Sequence, residues 1–324
     1  MSMEHADAQG GEAFKISFVI TYYNIPLDML RQCIESILAL SLKAEEREIV
    51  LVDDGSPINP KPVLDDYAGS IVYVLQMNQG PAAARNKGLE TASGTHIQYV
   101  DADDYLLKEG YEYCIDLVRK GRQTDVVTLD FTQDLRHKGQ PTCKRYETGA
   151  DYMLANNLRG IDWAYLFRRS ALGDWRFTPG ILHEDEEFAP QLMLRSGRVC
   201  ATNACAYFYR RRDDSIVNKA DQAPVQKRLS DMEKVIERLN DAATTLSGTR
   251  KDALLRRIHQ LTMDHLYNTM RLTRNATQVE EAVERLQSQH LFPLPDKRYT
   301  RKYNWFRRLS NSRLGRRIML IALS

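Results

Sequence analysis

Short apolar, β-branched runs alternate with helical patterns along the N-terminal half of this chain. The runs are Ile16 to Thr21, Ile49 to Asp54, Ile71 to Gln76, His96 to Val100 and Val126 to Phe131. Residues 27–40 and 82–92, which lie between runs, have the apolar spacing of helices. Strands that alternate with helices form a mostly parallel sheet covered by helices. The sequence therefore predicts an α/β fold.

Polar motifs follow three of the predicted strands. They are Thr21-Tyr22-Tyr23-Asn24, Asp53-Asp54-Gly55-Ser56 and Asp101-Ala102-Asp103-Asp104. Ligands of such sheets bind at the carboxyl ends of the strands, so we expect the motifs to converge on one crevice. A Rossmann dinucleotide site is excluded, because it needs glycines in the first turn and none occurs between Gly11 and Gly55.

The third motif indicates a cation site. In a continuous strand, Asp101 and Asp103 would point to the same side, about 6 to 7 Å apart. Carboxylate oxygens suit Mg²⁺ or Mn²⁺, which complete their shells with water and phosphate. An ordinary Asp-rich turn is the alternative. For Asp104 we expect the N-cap of the next helix rather than a third ligand.

Composition excludes several classes of protein. Lysine plus arginine (45) nearly balances aspartate plus glutamate (43), so bulk charge gives no case for nucleic acid binding. The 5 cysteines form no CxxC pair, which is typical of free thiols in a reducing compartment. No secretory signal and no apolar run of about 18 residues is present. We therefore expect a cytoplasmic protein.

The C-terminal region has a different character. Val225, Leu229, Met232 and Ile236 recur at helical spacing, and the stretch from Lys297 to Arg317 contains many basic residues and no acidic one. The basic, aromatic and apolar tail fits a helix at the anionic inner face of a membrane. It fits equally a terminal helix docked on its own domain or on another subunit.

Five motifs together resemble the family 2 glycosyltransferases, whose catalytic domain has the GT-A fold. Besides the three motifs above, with Val52 in front of the second, they are Gly80-Pro81-Ala82-Ala83-Ala84-Arg85-Asn86-Lys87-Gly88 and His183-Glu184-Asp185-Glu186. The resemblance runs from about Lys15 to Ile216. The expected domains are a disordered segment 1–14, a GT-A catalytic domain 15–218, a helical appendage 219–295 and a basic amphipathic tail 296–324.

The resemblance implies a metal-dependent, inverting transferase that uses a nucleoside diphosphate sugar, most often with a uridine base. The donor would be held by Thr21, Tyr23, Asp54, Arg85, Asp101, Arg210 and Arg212. Asp103, with Asp101 beside it, would ligate Mn²⁺ or Mg²⁺ at the phosphates. Asp185 would be the general base that deprotonates the acceptor hydroxyl, and Glu184 would support it.

These assignments have alternatives. Asp54 could simply form a turn with Gly55 and Ser56, and Arg85 could be an exposed arginine in the first turn of a helix. Residues 184–187 could be the acidic first turn of a helix, with solvated side chains. A nucleotidyltransferase and a catalytically silent binder of sugar nucleotides or glycans are the rival functions. The expected acceptor is a glycan or lipid-linked oligosaccharide in surface polysaccharide synthesis. Peripheral binding to the inner face of the membrane and homo-oligomer formation stay open.

Overall fold

The strands form one nine-stranded sheet in the computed structural model, which describes residues 13–121, 123–135, 139–211 and 225–323. They are β1 (Ile16–Tyr22), β2 (Arg47–Asp53), β3 (Ile71–Leu75), β4 (His96–Asp101), β5 (Tyr105–Leu106), β6 (Thr124–Thr132), β7 (Cys143–Tyr146), β8 (Tyr165–Arg168) and β9 (Arg198–Phe208). The five predicted strands correspond to β1, β2, β3, β4 and β6. The predicted α/β fold class is confirmed.

Helices flank this sheet and form the C-terminal region. They are α1 (Leu27–Leu38), α2 (Lys61–Leu64), α3 (Pro81–Thr91), α4 (Lys108–Lys120), α5 (Gly149–Ala155), α6 (Arg169–Leu172), α7 (Glu184–Arg195), α8 (Val225–Thr244), α9 (Gly248–Thr273), α10 (Ala276–Ser288), α11 (Arg301–Ser310) and α12 (Arg313–Leu323). Short 3₁₀ turns at Ala44–Glu46, Asp65–Tyr67 and Asp162–Ala164 complete the elements used below.

The sheet is parallel in its first half and mixed in its second. Its order is β3-β2-β1-β4-β8-β6-β9-β5, with β7 paired to β9. β3, β2, β1 and β4 are mutually parallel, as predicted, whereas β8 runs antiparallel to both β4 and β6. The prediction of a mostly parallel sheet therefore holds only for the first half. The very short β5 and β7 gave no sequence signal because they span a few residues each.

Strand β1 lies in the middle of the parallel half and is buried except at Thr21. Thr21 is in register with Val52 of β2 and with Asp101 of β4. The carboxyl ends of three neighbouring strands consequently meet at one edge of the sheet. The expected convergence of the three polar motifs is therefore present in the fold.

Helix α3 packs closely against β1 and β2 because its Gly88 has no side chain. A Cβ at Gly88 would lie 2.1 Å from Val19 Cγ1 and 3.3 Å from Val52 Cγ2. The helix begins at Pro81, after Gly80 at a φ of 86°, which is the left-handed conformation that glycine permits. This start places Arg85 in the second turn of α3, beneath the strand ends.

The C-terminal helices pack on the part of the chain that contains the sheet, and one apolar core extends from Ile16 to Met319. Helix α9 contacts both α5 and α7. The predicted helical character after residue 219 is confirmed for the described part of that region, while the predicted boundary at 218 lies outside the described residues. So do residues 1–12 of the segment expected to be disordered. The domain limits stay predictions.

Candidate active site

Hydrogen bonds tie the loops after β1 and β2 together. The Asn24 backbone N–H donates to Ser56 Oγ (2.9 Å), and the Tyr22 hydroxyl donates to the Ile58 carbonyl (2.9 Å). Tyr23 is 38% exposed beside this junction, and the Thr21 side chain is hydrogen-bonded to Asp101. Two residues predicted to hold a nucleobase therefore lie at the edge of the crevice.

Asp54 is buried and bound by the protein's own donors. It accepts hydrogen bonds from Gln76 Nε2 (2.7 Å), Gln79 N (2.9 Å) and Gly80 N (2.8 Å), and so fixes the segment before α3. A carboxylate offers about four acceptor positions, which leaves room for one further donor. Asp53 holds the turn, as expected, through Ser56 N (2.7 Å).

Arg85 is buried at the centre of the crevice and pairs with three carboxylates. Its Nη1 donates to Glu184 Oε1 at 2.7 Å, its Nη2 lies 3.5 Å from Asp101 Oδ1, and its Nε contacts Asp162. Burial by itself would lower the pKa of Arg85, but Asp162, Asp101 and Glu184 raise it. The arginine expected to face a diphosphate is thus already held by the protein. The alternative of a surface arginine is wrong, because Arg85 is only 7% exposed.

Asp162 is a site residue that sequence reasoning missed. It lies in the 3₁₀ turn that precedes β8, is 3% exposed, and contacts Arg85. Burial raises the pKa of Asp162 to about 7, while Arg85 lowers it. The available signal was an aspartate placed directly before the apolar run 163–167. Without knowledge of its partner, that signal does not separate a site residue from a turn residue.

The predicted acidic pair lies at the start of α7. Glu184 is bound to Arg85, so the alternative of a solvated acidic turn is wrong for this residue. Burial raises the pKa of Asp185 well above the usual range, and so do Glu186, Glu184 and Asp162, whereas Arg85 lowers it. His183, just before the helix, has a left-handed φ of 66°. A carboxyl group with a raised pKa is suited to accept a proton near neutral pH.

The Asp101 to Asp104 motif forms a turn rather than a continued strand. β4 ends at Asp101, and Asp104 N donates to the Asp101 carbonyl (3.0 Å), so strand alternation does not set the position of half-buried Asp103. The expected helix cap at Asp104 is wrong, because the N-cap of α4 is Leu107. Asp104 Oδ1 instead accepts from Arg210 N (2.7 Å). Burial raises the pKa of Asp104 to about 9.

The carboxylates of Asp101 and Asp103 fit a cation that is also held by a ligand. Within the described ranges, no group of three or more His, Cys, Asp or Glu side chains is arranged to hold a metal ion. Mg²⁺ commonly takes one or two protein carboxylates and completes its shell with substrate phosphates. Two carboxylates at the strand ends match that mode of binding and not a site made by protein ligands alone.

Comparison with known proteins decides the family. The sequence profile described as "Glycosyl transferase family 2" matches residues 17–175, which include the strand-end motifs, Arg85 and Asp162. Residues 17–175 belong to glycosyl transferase family 2. The fold is accordingly the GT-A fold expected from the sequence.

Relatives of this chain are found at moderate identity. It is 27% identical to the poly(ribitol-phosphate) beta-glucosyltransferase of Bacillus spizizenii over 251 residues, which cover 74% of this chain and 39% of that relative. The structure of S. aureus TarS superposes with a TM-score of 0.64 at 16% identity, covering 95% of this chain and 54% of TarS. TarS residues 1–349 in complex with UDP-GlcNAc give 0.58 at 16% identity, covering 92% and 90%.

A mannosyltransferase of Pyrobaculum calidifontis, PcManGT, was solved in complex with GDP-Man and Mn²⁺. It superposes on this chain with a TM-score of 0.57 at 11% identity, covering 95% of this chain and 87% of the mannosyltransferase. At such identities the superpositions demonstrate a common fold.

The structure brings several of the sequence-predicted residues together. Arg210, at the end of β9, lies beside the aspartate turn through its bond to Asp104 and a cation–π contact with Tyr105 (5.7 Å). Arg212 lies outside the described residues. Among the residues brought together by contacts are Thr21, Arg85, Asp101 and Glu184.

Replacing Arg85 by leucine should destabilise the protein by about 3–5 kcal/mol, because buried Asp162 and the partly buried Asp101 and Glu184 would lose their counter-charge. Urea unfolding of wild type and Arg85→Leu measures the loss. The matched control is Arg31→Leu, since Arg31 forms a solvent-exposed pair with Asp66 and should change stability little. Equal effects of the two substitutions would contradict the central role assigned to Arg85.

Proposed function

We propose that the protein is a metal-dependent, inverting glycosyltransferase. It transfers a sugar from a nucleoside diphosphate sugar, expected to be a UDP-sugar, to a hydroxyl group of a glycan or lipid-linked acceptor in surface polysaccharide synthesis. The observation that carries the proposal is the meeting of the Arg85 cluster, the aspartate turn and Asp185 at the carboxyl ends of the parallel strands.

The donor class is supported by structural neighbours that bind sugar nucleotides. TarS was solved with UDP-GlcNAc and PcManGT with GDP-Man, and both share the fold of this chain. Tyr23 offers an exposed aromatic ring for stacking on a base. Thr21 is at the end of β1, two residues before Tyr23, and Asp54 follows the neighbouring strand β2. Asp54 accepts three hydrogen bonds, which leaves one of the about four acceptor positions of a carboxylate for a base.

The PcManGT complex with Mn²⁺ supports use of a divalent cation. Asp101 and Asp103 would hold the ion together with the donor phosphates. The ion would neutralise charge on the departing nucleoside diphosphate. Arg85, which also contacts Asp162, holds the carboxylate of Asp101.

In the proposed reaction, Asp185 accepts the proton of the acceptor hydroxyl. The acceptor oxygen forms a bond to the anomeric carbon while the bond from that carbon to the donor phosphate oxygen breaks, and the nucleoside diphosphate leaves. One displacement of this kind inverts the anomeric centre. Glu184, held by Arg85, sets the position of the first turn of α7 and therefore of Asp185.

The two C-terminal helices are docked on the rest of the chain. Helices α11 and α12 dock on their own domain: Tyr303, Phe306 and Met319 are buried, and Arg316 pairs with Glu280 through two hydrogen bonds (2.8 and 2.6 Å). Along the described chain, no helix combines the length and apolar character needed to cross a bilayer.

One face of the docked tail stays exposed and apolar. Leu314, Ile318 and Ile321, spaced for one side of α12, are 70%, 51% and 77% exposed, and Trp305 of α11 is 63% exposed. We call this apolar stripe the tail face. Exposed basic residues lie on the same two helices, namely Arg301, Lys302, Arg308, Arg313 and Arg317. An apolar stripe with basic neighbours matches an anionic lipid surface.

Metal-dependent binding of a nucleotide is the first test. At a ligand concentration of about 100 Kd, UDP or GDP with Mn²⁺ should stabilise the protein by about 2.7 kcal/mol, and EDTA or Asp103→Ala should remove most of that gain. Thermal unfolding with UDP, GDP and a panel of UDP-sugars measures it. Asp116→Ala, an exposed carboxylate on α4, is the control and should respond as wild type. No response to any nucleotide would refute the proposal.

Loss of Asp185 should abolish turnover but not donor binding. Asp185→Asn should lower kcat by about 10² to 10⁴-fold with the donor Kd unchanged, which separates an enzyme from a silent binder. In wild type, kcat/KM should fall as pH drops through the raised pKa of Asp185, at a higher pH than for an ordinary aspartate near 3.9. Asp116→Asn is the control. Release of pyrophosphate instead of a nucleoside diphosphate would favour a nucleotidyltransferase.

Membrane binding is tested by sedimentation with vesicles. Vesicles that contain phosphatidylglycerol should carry the protein down and phosphatidylcholine vesicles should not, and binding should weaken with salt. Leu314→Ser, Ile318→Ser and Ile321→Ser combined should abolish binding.

The control for the tail face is Leu75→Ser with Met77→Ser, which removes exposed apolar side chains (65% and 83% exposed) at the β3 edge of the sheet. Binding lost equally in this variant would contradict the assignment of the tail face. So would a concentration-dependent dimer in lipid-free sedimentation that disappears when the tail face is changed.

A further inference from the structure

The helical appendage holds the acidic helix α7 at several points. Arg257 of α9 contacts the Glu186 carboxylate, and Arg238 of α8 donates from Nε to Glu187 Oε1 at 2.8 Å. The Leu182 backbone N–H, just before α7, donates to Asp231 Oδ2 of α8 at 3.1 Å. The residues on both sides of the Glu184-Asp185 pair are therefore fixed by elements that lie after residue 225.

Arg257 also binds the segment that leads to Asp162. Its Nη1 donates to the Leu158 carbonyl at 2.8 Å, and the guanidinium is 7% exposed. The neighbouring Gln260 Nε2 donates to Asn157 Oδ1 at 2.8 Å. One buried guanidinium thus joins the two segments that deliver Asp162 and Asp185 to the crevice.

Gly160 leaves room for the Glu186 side chain against the loop 157–161. A Cβ at Gly160 would fall within 1.9 Å of a Glu186 carboxylate oxygen. The carboxylate of Glu186 consequently lies between the loop 157–161 and Arg257, in contact with both. A buried charge placed in this way requires its partner.

We propose that Arg257 is a positioning residue that sets the placement of Asp185 relative to Asp162 and Arg85. It acts through Glu186 and Leu158 and does not touch the reacting atoms. The inference rests on the proposed function, since it concerns the same general base. It assigns the helical appendage, which the family profile does not cover, a part in the chemistry of the catalytic domain.

The charged groups that face Asp185 make this placement measurable. Glu184 and Glu186 lie on its own helix, Asp162 approaches from the turn before β8, Arg85 from α3, and His183 precedes the helix. Without Arg257, the negative charge of Glu186 would face Asp185 uncompensated. The acid limb of the pH profile should then move to higher pH.

The test compares Arg257→Gln with Arg238→Gln, which breaks the pair with Glu187 on the same helix but leaves the loop 157–161 untouched. In Arg257→Gln, kcat should fall about 100-fold while donor Kd stays within about threefold, because small displacements of a catalytic group are costly. Arg238→Gln should keep kcat within about threefold. The substrate is whichever nucleotide sugar of the panel the wild type turns over.

Two further variants separate position from charge. Arg257→Lys retains the positive charge but cannot bind Glu186 and the Leu158 carbonyl with two separate nitrogens. The acid limb of its pH profile should therefore match wild type while kcat stays reduced. Arg257→Gln combined with Glu186→Gln should also restore the acid limb. Thermal unfolding of every variant corrects for unfolded protein, and Arg257→Lys decides the question if Arg257→Gln does not fold.

Equal losses of kcat in Arg257→Gln and Arg238→Gln, with an unmoved acid limb, would overturn the inference and leave Arg257 as a structural contact. Failure of the wild type to turn over any nucleotide sugar would overturn the proposed function itself. The two failures are distinguished by the wild-type assay alone.

Discussion

The candidate site depends on the ion pairs of Arg85. This guanidinium is buried, and its three nitrogens reach carboxylates on three different elements: Asp101 at the end of β4, Asp162 before β8 and Glu184 at the start of α7. A buried arginine is tolerable only when its donors are satisfied, and its planar fork suits several carboxylates at once. Its position in turn requires the close approach of α3 to the sheet that Gly88 permits.

The helical appendage also supplies arginines that pair with carboxylates of α7. Arg85 fixes the first turn of α7 through Glu184, and Arg257 fixes it through Glu186 and the Leu158 carbonyl. Three of the four consecutive acidic residues of this turn are therefore paired with arginines, and the fourth, Asp185, is the proposed general base. Rigid support of this kind is what a general base needs to stay within reach of a substrate proton.

The sequence predicted those features that depend on local pattern. The five predicted strands end within one residue of the observed ends, and the acidic segment 184–187 lies at the start of α7, whereas the aspartate motif forms a turn and not the continued strand that was expected. The partners were not predictable, because Arg85 and Glu184 are 99 residues apart and Arg257 and Glu186 are 71 apart. For the same reason the buried state of Arg85 was missed: a helix start predicts an exposed arginine unless the carboxylates that surround it are known.

Charge balance explains why a cation belongs to the proposed reaction. A single guanidinium faces Asp101, Asp162, Glu184 and Asp185, and burial first, then the neighbouring carboxylates, raise the pKa values of Asp101 and Asp185. At 4 Å and an effective dielectric constant near 20, two like charges repel by about 4 kcal/mol, so a diphosphate would enter unaided at high cost. A divalent ion would remove that cost and also lower the pKa of the base. Donor binding and deprotonation of Asp185 would then be coupled, so that the base becomes active only when the donor is in place.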